Sequence, residues 1–422
     1  MLTHSSLAKI VDLEFWVVGA LAVGSLVFNP LLPLAVLVAA VFWILRFTST
    51  RKLTHRTPAD WSILFLVLTI LPTLWAAQFQ EVSIQQVLRM LVGIFLFYAI
   101  VSWAQNTRRL ILFWAGTWIA GLFLAVFSVF SVEWSSEKLL ILPARLFERF
   151  QVLVSDTVNP NVLAGSLVIL APLPLAAILF HWKGMTWFSR LIAILAMLAL
   201  SGMLLLTGTR GAWLAYSLAI LVLVALRWRW GWIILAASLA GAGLLLFTYQ
   251  QSYQTFRIIG GFLGTFNNRI DIWQRAIFLI QSFPYTGIGM GTFTEKVALF
   301  FPFPPDTTII IPHAHNLFLQ IAVDLGIPGL IAWLAVWSGV IASAWRLYRV
   351  GWKYRIGLAG GLGAAILASQ AALAVHGLTD AVTWGMVRPA PLVWVLWGIA
   401  ISGWLTFSRK DTERLNQEKN SL

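Results

Sequence analysis

The 422-residue chain contains no cysteine. Disulfides, thiol nucleophiles and thiolate metal sites are thereby excluded, and the redox compartment is left open. Charge is almost as scarce. Only 11% of residues are Asp, Glu, Lys or Arg, where soluble domains carry about 25%. The deficit is heaviest in acids, 16 against 29 basic residues, and no Asp or Glu occurs between Asp156 and Asp271. A chain this poor in charge and 59% hydrophobic cannot hide its apolar surface in a water-facing fold. A cleavable leader is also not expected. The first apolar run follows Lys9, Asp12 and Glu14, ends at Phe28-Asn29-Pro30 and leads straight into a second, as a helical hairpin does.

What is present is apolar sequence in long runs. Twelve are expected to span a membrane as helices, at 14–29, 31–46, 60–77, 86–104, 110–131, 161–181, 190–207, 211–226, 231–248, 316–345, 356–376 and 389–407. The fold class is therefore an all-α integral membrane protein, a single polytopic domain over 1–422 with no internal repeat or separate soluble domain. The 23 Trp suit a bilayer, because indole favours the headgroup zone. The tenth run is expected to break at Gly326-Ile327-Pro328-Gly329, where proline removes a helix donor.

The net charge of +13 does not point to nucleic acid, because the basic residues sit in short loops rather than on one face or tail. Those loops set the orientation. With the N-terminus inside, most of the 29 basic residues fall on the cytoplasmic side, in loops such as Arg46 to Arg56, Arg108-Arg109 and Arg346 to Arg355, and in the tail from Arg409. Both termini are then cytoplasmic. Two long segments are extracytoplasmic. The first, 132–160, contains LLILPARLFERFQVLV, whose apolar and charged faces suit a helix lying flat in the interface. The second, 249–315, carries most of the chemistry-bearing side chains. Outward loops ordinarily avoid arginine, yet these two segments and the turn at residue 210 hold Arg145, Arg149, Arg210, Arg257, Arg269 and Arg275.

Arg210 stands in Thr207-Gly208-Thr209-Arg210-Gly211, with no carboxylate near it in sequence. It reads as an anion clamp, because guanidinium presents a planar fork of donors suited to phosphate; the competing reading is an arginine snorkelling to lipid phosphate. Arg269 opens a segment with Ile270, Trp273, Ile277 and Ile280 at helical spacing, which predicts an amphipathic surface helix. Asp271 and Arg275 stand four residues apart and read as a surface ion pair. That leaves Arg269 as the stronger ligand candidate and Arg275 as a secondary one.

Gly287-Ile288-Gly289-Met290-Gly291 looks like a phosphate loop but lacks the Lys-Ser/Thr ending, so a tight turn is the expectation. Asn316 reads as the N-cap of the helix LFLQIAVDLG. His315 then lies at the positive end of a helix dipole, a place that favours neutral imidazole able to take a proton from a hydroxyl. A histidine merely hydrogen-bonded in a lid fits the spacing equally well. His313 and His315 lack a third ligand nearby in sequence, which argues against a metal. His376 and Asp380 stand four residues apart, near Arg388, and are expected to form a polar turn at the outer leaflet, with a secondary role at the site open to them. Asn159-Pro160-Asn161 reads as a helix start.

Taken as a set, NPNVLAGSL at 159–167, TGTRGAWLA at 207–215, NRIDIWQRAIFLIQSFPYTGIGMGTF at 268–293 and HAHNLFLQIAVDLGIPGL at 313–330 resemble the O-antigen ligase and O-antigen polymerase superfamily of bacterial membrane glycosyltransferases. The resemblance implies a multi-pass protein of the bacterial cytoplasmic membrane with an extracytoplasmic active site. It implies a glycan donor on undecaprenyl pyrophosphate, a glycan, lipid or protein acceptor, membrane lipids as surroundings, no cofactor and metal-independent transfer. It also implies that Arg210 and Arg269 bind the pyrophosphate and that His315 activates the acceptor. Part of the superfamily is linked to inorganic carbon uptake, so a bicarbonate-type anion transporter is the alternative expectation.

Overall fold

A computed structural model describes residues 10–132, 134, 158–251, 257–301, 311–385 and 390–420, and for 246–251, 257–268 and 409–420 it describes the backbone alone. Among the described residues the chain is all helical, apart from one isolated bridge between Val132 and Val158. The helices run in the order α1 Glu14–Val27, α2 Leu31–Thr50, α3 Asp60–Leu68, α4 Ile70–Ala76, α5 Gln80–Trp103, α6 Thr107–Ser131, α7 Pro160–Leu170 and α8 Pro172–His181. There follow α9 Trp187–Leu206, α10 Arg210–Arg227, α11 Gly231–Gln251, α12 Arg257–Ser282, α13 Phe293–Phe300, α14 Leu317–Lys353, α15 Gly357–Gly377 and α16 Pro391–Asn420.

Nine helices among the described residues are long and apolar enough to cross a bilayer. The three remaining predicted spans are helical and apolar but shorter, at Glu14–Val27, Asp60–Ala76 and Gly231–Leu245. Large apolar side chains cover the outside of the bundle: Trp61 and Trp75 are each 83% exposed and Phe123 is 72% exposed. Water would not tolerate so continuous an apolar surface. The fold is that of an integral membrane protein, whose outer side chains meet lipid.

The core forms around α15, which is rich in Gly and Ala and buried along nearly its whole length. Small residues let backbones approach, which is how helices associate in lipid without a hydrophobic driving force. A Cβ at Gly363 would lie 2.5 Å from the backbone nitrogen of Tyr348 in α14, so no larger residue fits there. At one end of the bundle basic residues close the loops. Arg227 Nε donates to Leu179 O at 2.9 Å, and the Tyr348 hydroxyl donates to Leu226 O at 2.6 Å. The opposite end holds the starts of α7, α10 and α14 and the end of α15.

The expected break in the tenth run is present. Gly326 has φ 72° and ψ 178°, inside a helix otherwise continuous from Leu317 to Lys353. A straight helix would separate residues 318 and 333 by about 22 Å. Instead the Phe318 ring lies 6.2 Å from Trp333 and 6.0 Å from Trp337, so the opening turns of α14 fold back over their own continuation. The bend is held by Ile327 N–H donating to Pro284 O at 2.8 Å and Ile288 N–H donating to Val323 O at 2.9 Å. The glycine-rich segment is the tight turn that docks here. Gly287, Gly289 and Gly291 all have positive φ, and a Cβ at Gly287 would lie 2.3 Å from Asp324 O.

Helix α12 is present and differs from expectation in its packed face. Ile272, Ala276, Leu279, Ile280 and Phe283 pack into a core with α13 and the start of α14. Ile270 and Ile277 are each 45% exposed. The apolar spacing alone fits either face, and tertiary contact selects the one that carries Arg269 a turn before Ile272. The two ends of the 132–160 segment meet through Val158 N–H donating to Ser131 O at 2.7 Å. Its LLILPARLFERFQVLV core, with Arg145 and Arg149, lies outside the described residues, as do Arg388 and the Arg257 side chain.

Candidate active site

The site is built on three chain reversals. The first precedes α14. The Asn316 side-chain oxygen accepts from Phe318 N–H and Leu319 N–H, both at 3.0 Å, and so caps the helix as expected. The same side chain donates through Nδ2 to Leu378 O at 3.3 Å, tying this loop to the end of α15. His315 has φ 46°, a left-handed conformation that costs a non-glycine residue about 1–3 kcal/mol. Its backbone N–H turns back to donate to His313 Nδ1 at 3.1 Å. His313 Nδ1 is therefore an acceptor, and in the neutral ring the proton sits on Nε2.

The second reversal follows α15. The N–H groups of Thr379 and Asp380 both donate to His376 O at 2.9 Å, winding the chain inward. Asp380 is 3% exposed at its side chain, and its Oδ1 lies 3.6 Å from both His313 Nε2 and His315 Nδ1, just beyond hydrogen-bond length. The two imidazole centroids are 4.2 Å apart. Burial would raise the Asp380 pKa, but contact with His315 and the nearby imidazoles of His313 and His376 outweighs it, leaving the carboxyl well below its ordinary range. His376 is 1% exposed, and its ring nitrogens have no hydrogen-bond partner among the described residues. The sequence expectation of a polar turn at the outer leaflet said nothing of this burial. His376 and Asp380 are buried because the reversal folds under the histidine loop.

The third reversal joins α9 to α10. Thr209 Oγ1 donates to Asn161 Oδ1 at 2.9 Å, and Asn159 caps α7 through Asn161 N–H at 2.8 Å. Gly211 lies against the second reversal, where a Cβ would sit 2.3 Å from Thr379 Oγ1. Arg210, the residue before it, is exposed at the start of α10. Arg269 comes to the same place from α12. Burial lowers its pKa and the Asp380 charge opposes that fall; its own charge in turn helps depress His313. Arg269 thus interacts with the Asp380 charge from α12, while α10 brings Gly211, next to Arg210, against the same turn. The Arg275 guanidinium lies 5.3 Å over the Phe301 ring.

Burial, helped by His315 and Arg269 and opposed by Asp380, pushes the His313 pKa down to about 4 from 6.5. Between those values the unfolded chain takes up a proton that the folded chain refuses. The contribution of His313 to stability is therefore full above about pH 6.5 and falls by about 1.4 kcal/mol for each pH unit down to about pH 4. His313→Asn keeps an acceptor for His315 N–H without the titrating ring. The thermal midpoint of the purified protein is expected to drop less between pH 6.5 and pH 4.5 in this variant than in wild type. Equal drops would show that His313 does not titrate in this way.

The ligand atoms of His313, His315 and Asp380 lie within 4.8 Å of one another, a set of a size that a metal ion could bridge. The sequence reading found no third ligand because Asp380 is remote along the chain. In the fold the carboxylate also faces the Arg269 charge, which opposes a second cation at the same oxygens.

Sequence reasoning missed Gln320, Asp324 and Trp384. Asp324 is fully buried and accepts from Gln320 Nε2 and Trp384 Nε1, both at 2.8 Å. The available signal was two polar residues four apart inside an apolar run, which membrane helices rarely carry without purpose.

No curated protein matches the chain. Residues 195–334 match the family model described as O-antigen ligase. The matched stretch holds Arg210, Arg269, His313 and His315 and runs past the bend at Gly326, whereas His376 and Asp380 lie beyond it. Over that stretch the chain is similar to the O-antigen ligase family.

Proposed function

We propose that this protein transfers a glycan from undecaprenyl pyrophosphate to an acceptor hydroxyl at the extracytoplasmic face of the bacterial cytoplasmic membrane. The observation that carries the reading is the meeting of His315, Asp380 and Arg269 at a turn against which Gly211, the residue after Arg210, also packs, at the end of the bundle away from the basic loops. The positive-inside rule makes that end extracytoplasmic. The match over 195–334 supports glycan transfer at the general level.

In this mechanism the Asp380 charge, 3.6 Å from His315 Nδ1, favours the tautomer with its proton on Nδ1, which leaves Nε2 with a lone pair for the acceptor proton. His313 is the poorer base, because its Nδ1 already accepts from His315 N–H and its Nε2 carries the proton toward Asp380. The acceptor oxygen attacks the anomeric carbon as its proton passes to His315. The bond from that carbon to the pyrophosphate oxygen breaks, and the electron pair leaves with the pyrophosphate. Arg210 and Arg269 offset the charge that develops there. No protein–glycan covalent bond is formed.

The test is the purified protein in liposomes with a lipid-pyrophosphate-linked oligosaccharide and a set of acceptor glycans, lipids and proteins. The expected result is one glycosidic bond formed per lipid pyrophosphate released. Anion flux with the donor unconsumed would overturn the proposal in favour of transport.

A further inference from the structure

Asp324 is a carboxylate with 0% exposure in the folded-back opening of α14, and the mechanism above gives it no task. Its two oxygens join three parts of the chain. Oδ1 accepts from Gly291 N–H at 3.3 Å, in the glycine turn after α12, and from Gln320 Nε2 at 2.8 Å. Oδ2 accepts from Trp384 Nε1 at 2.8 Å, in the reversal that carries Asp380. Gln320 passes the connection on, because its Oε1 accepts from Ala314 N–H at 2.7 Å. Ala314 lies between His313 and His315. A chain of hydrogen bonds therefore runs from the histidine loop, through Gln320 and Asp324, to the loop of Asp380. Every member is nearly or wholly buried. In that setting an unmade bond is expensive, so the network has essentially one arrangement.

We infer that Asp324 is a positioning residue that fixes the spacing of His315 and Asp380 by holding Ala314 and Trp384 to one carboxylate. This rests on the transfer mechanism proposed above. Asp324 touches neither donor nor acceptor in that mechanism. It acts through the 3.6 Å separation of His315 Nδ1 and Asp380 Oδ1, and errors of about 1 Å in such a pair can cost about 10²-fold in rate.

Asp324→Asn tests this with little change in volume. The amide oxygen would keep the two donors at Oδ1, so its NH2 group would face Trp384 Nε1–H, donor against donor. Trp384→Phe removes the same bond from the other side and retains an aromatic ring. Each variant is expected to lower kcat for glycan transfer about 10- to 100-fold, with donor affinity close to wild type and a lower thermal midpoint, because each leaves a buried polar group unpaired. The double variant is expected to be no slower than the slower single one, because both break one link. Wild-type kcat in Trp384→Phe, or a loss of donor affinity as large as the loss of kcat, would overturn the inference. His315→Ala, run alongside, separates the two levels. If it is inactive while Trp384→Phe is at wild-type rate, only the positioning role fails; if it transfers at wild-type rate, the mechanism itself fails.

Discussion

His315→Ala is expected to cut glycan transfer by about 10²- to 10⁴-fold, the range that a positioned general base supplies, while membrane insertion and donor binding stay intact. The side chain is 25% exposed, so its removal opens no buried cavity. The Asn316 cap and its bond to Leu378 stay in place. Asp380→Asn should lower transfer as well, because the amide loses the charge that steadies a protonated His315. His313→Ala should cost less than His315→Ala, since its Nδ1 is occupied by a backbone donor. Single-turnover transfer by the purified variants checks the order. Equal losses for His313 and His315 would remove the assignment of the base.

Arg269→Ala and Arg210→Ala are each expected to reduce transfer about 10²- to 10³-fold, the loss typical of removing one positioned charge stabiliser. Their settings predict different side effects. Arg269 is drawn inward by the packed face of α12 and lies near the Asp380 charge, so its loss leaves that buried carboxylate less well balanced. Arg269→Ala should therefore also lower the thermal midpoint. Arg210 is exposed at the start of α10 and its loss should leave stability unchanged. Lysine should restore either function only in part, because a point charge lacks the planar fork that pairs with phosphate oxygens.

The parts of this protein that could be read from sequence are those decided locally. Hydropathy gave every long apolar helix, because each run must satisfy its own backbone in lipid. Asn316 and Asn159 were readable as caps from the residues that follow them, and the break at Gly326 from its glycine and proline. The three-glycine turn was readable as a turn, and the fold adds that its Gly291 N–H is spent on Asp324. The rest depends on partners far along the chain. Which face of α12 packs was not legible, because spacing cannot choose between two faces that both carry apolar residues. The burial of Asp380 and His376 was not legible because nothing near them in sequence shows that the α15 reversal tucks beneath the His313–His315 loop. The Asp324 network was hidden for the same reason, with Gly291, Ala314 and Trp384 on separate segments.

The most direct test of the central claim, that Arg210 and Arg269 grip a diphosphate beside His315, is equilibrium binding of undecaprenyl pyrophosphate to the purified protein. Wild type and His315→Ala should bind alike, while Arg210→Ala and Arg269→Ala bind more weakly, by about 10-fold or more if each guanidinium contributes a charge-assisted bond of about 1.5–3 kcal/mol. Equal binding by wild type and both arginine variants would contradict the account.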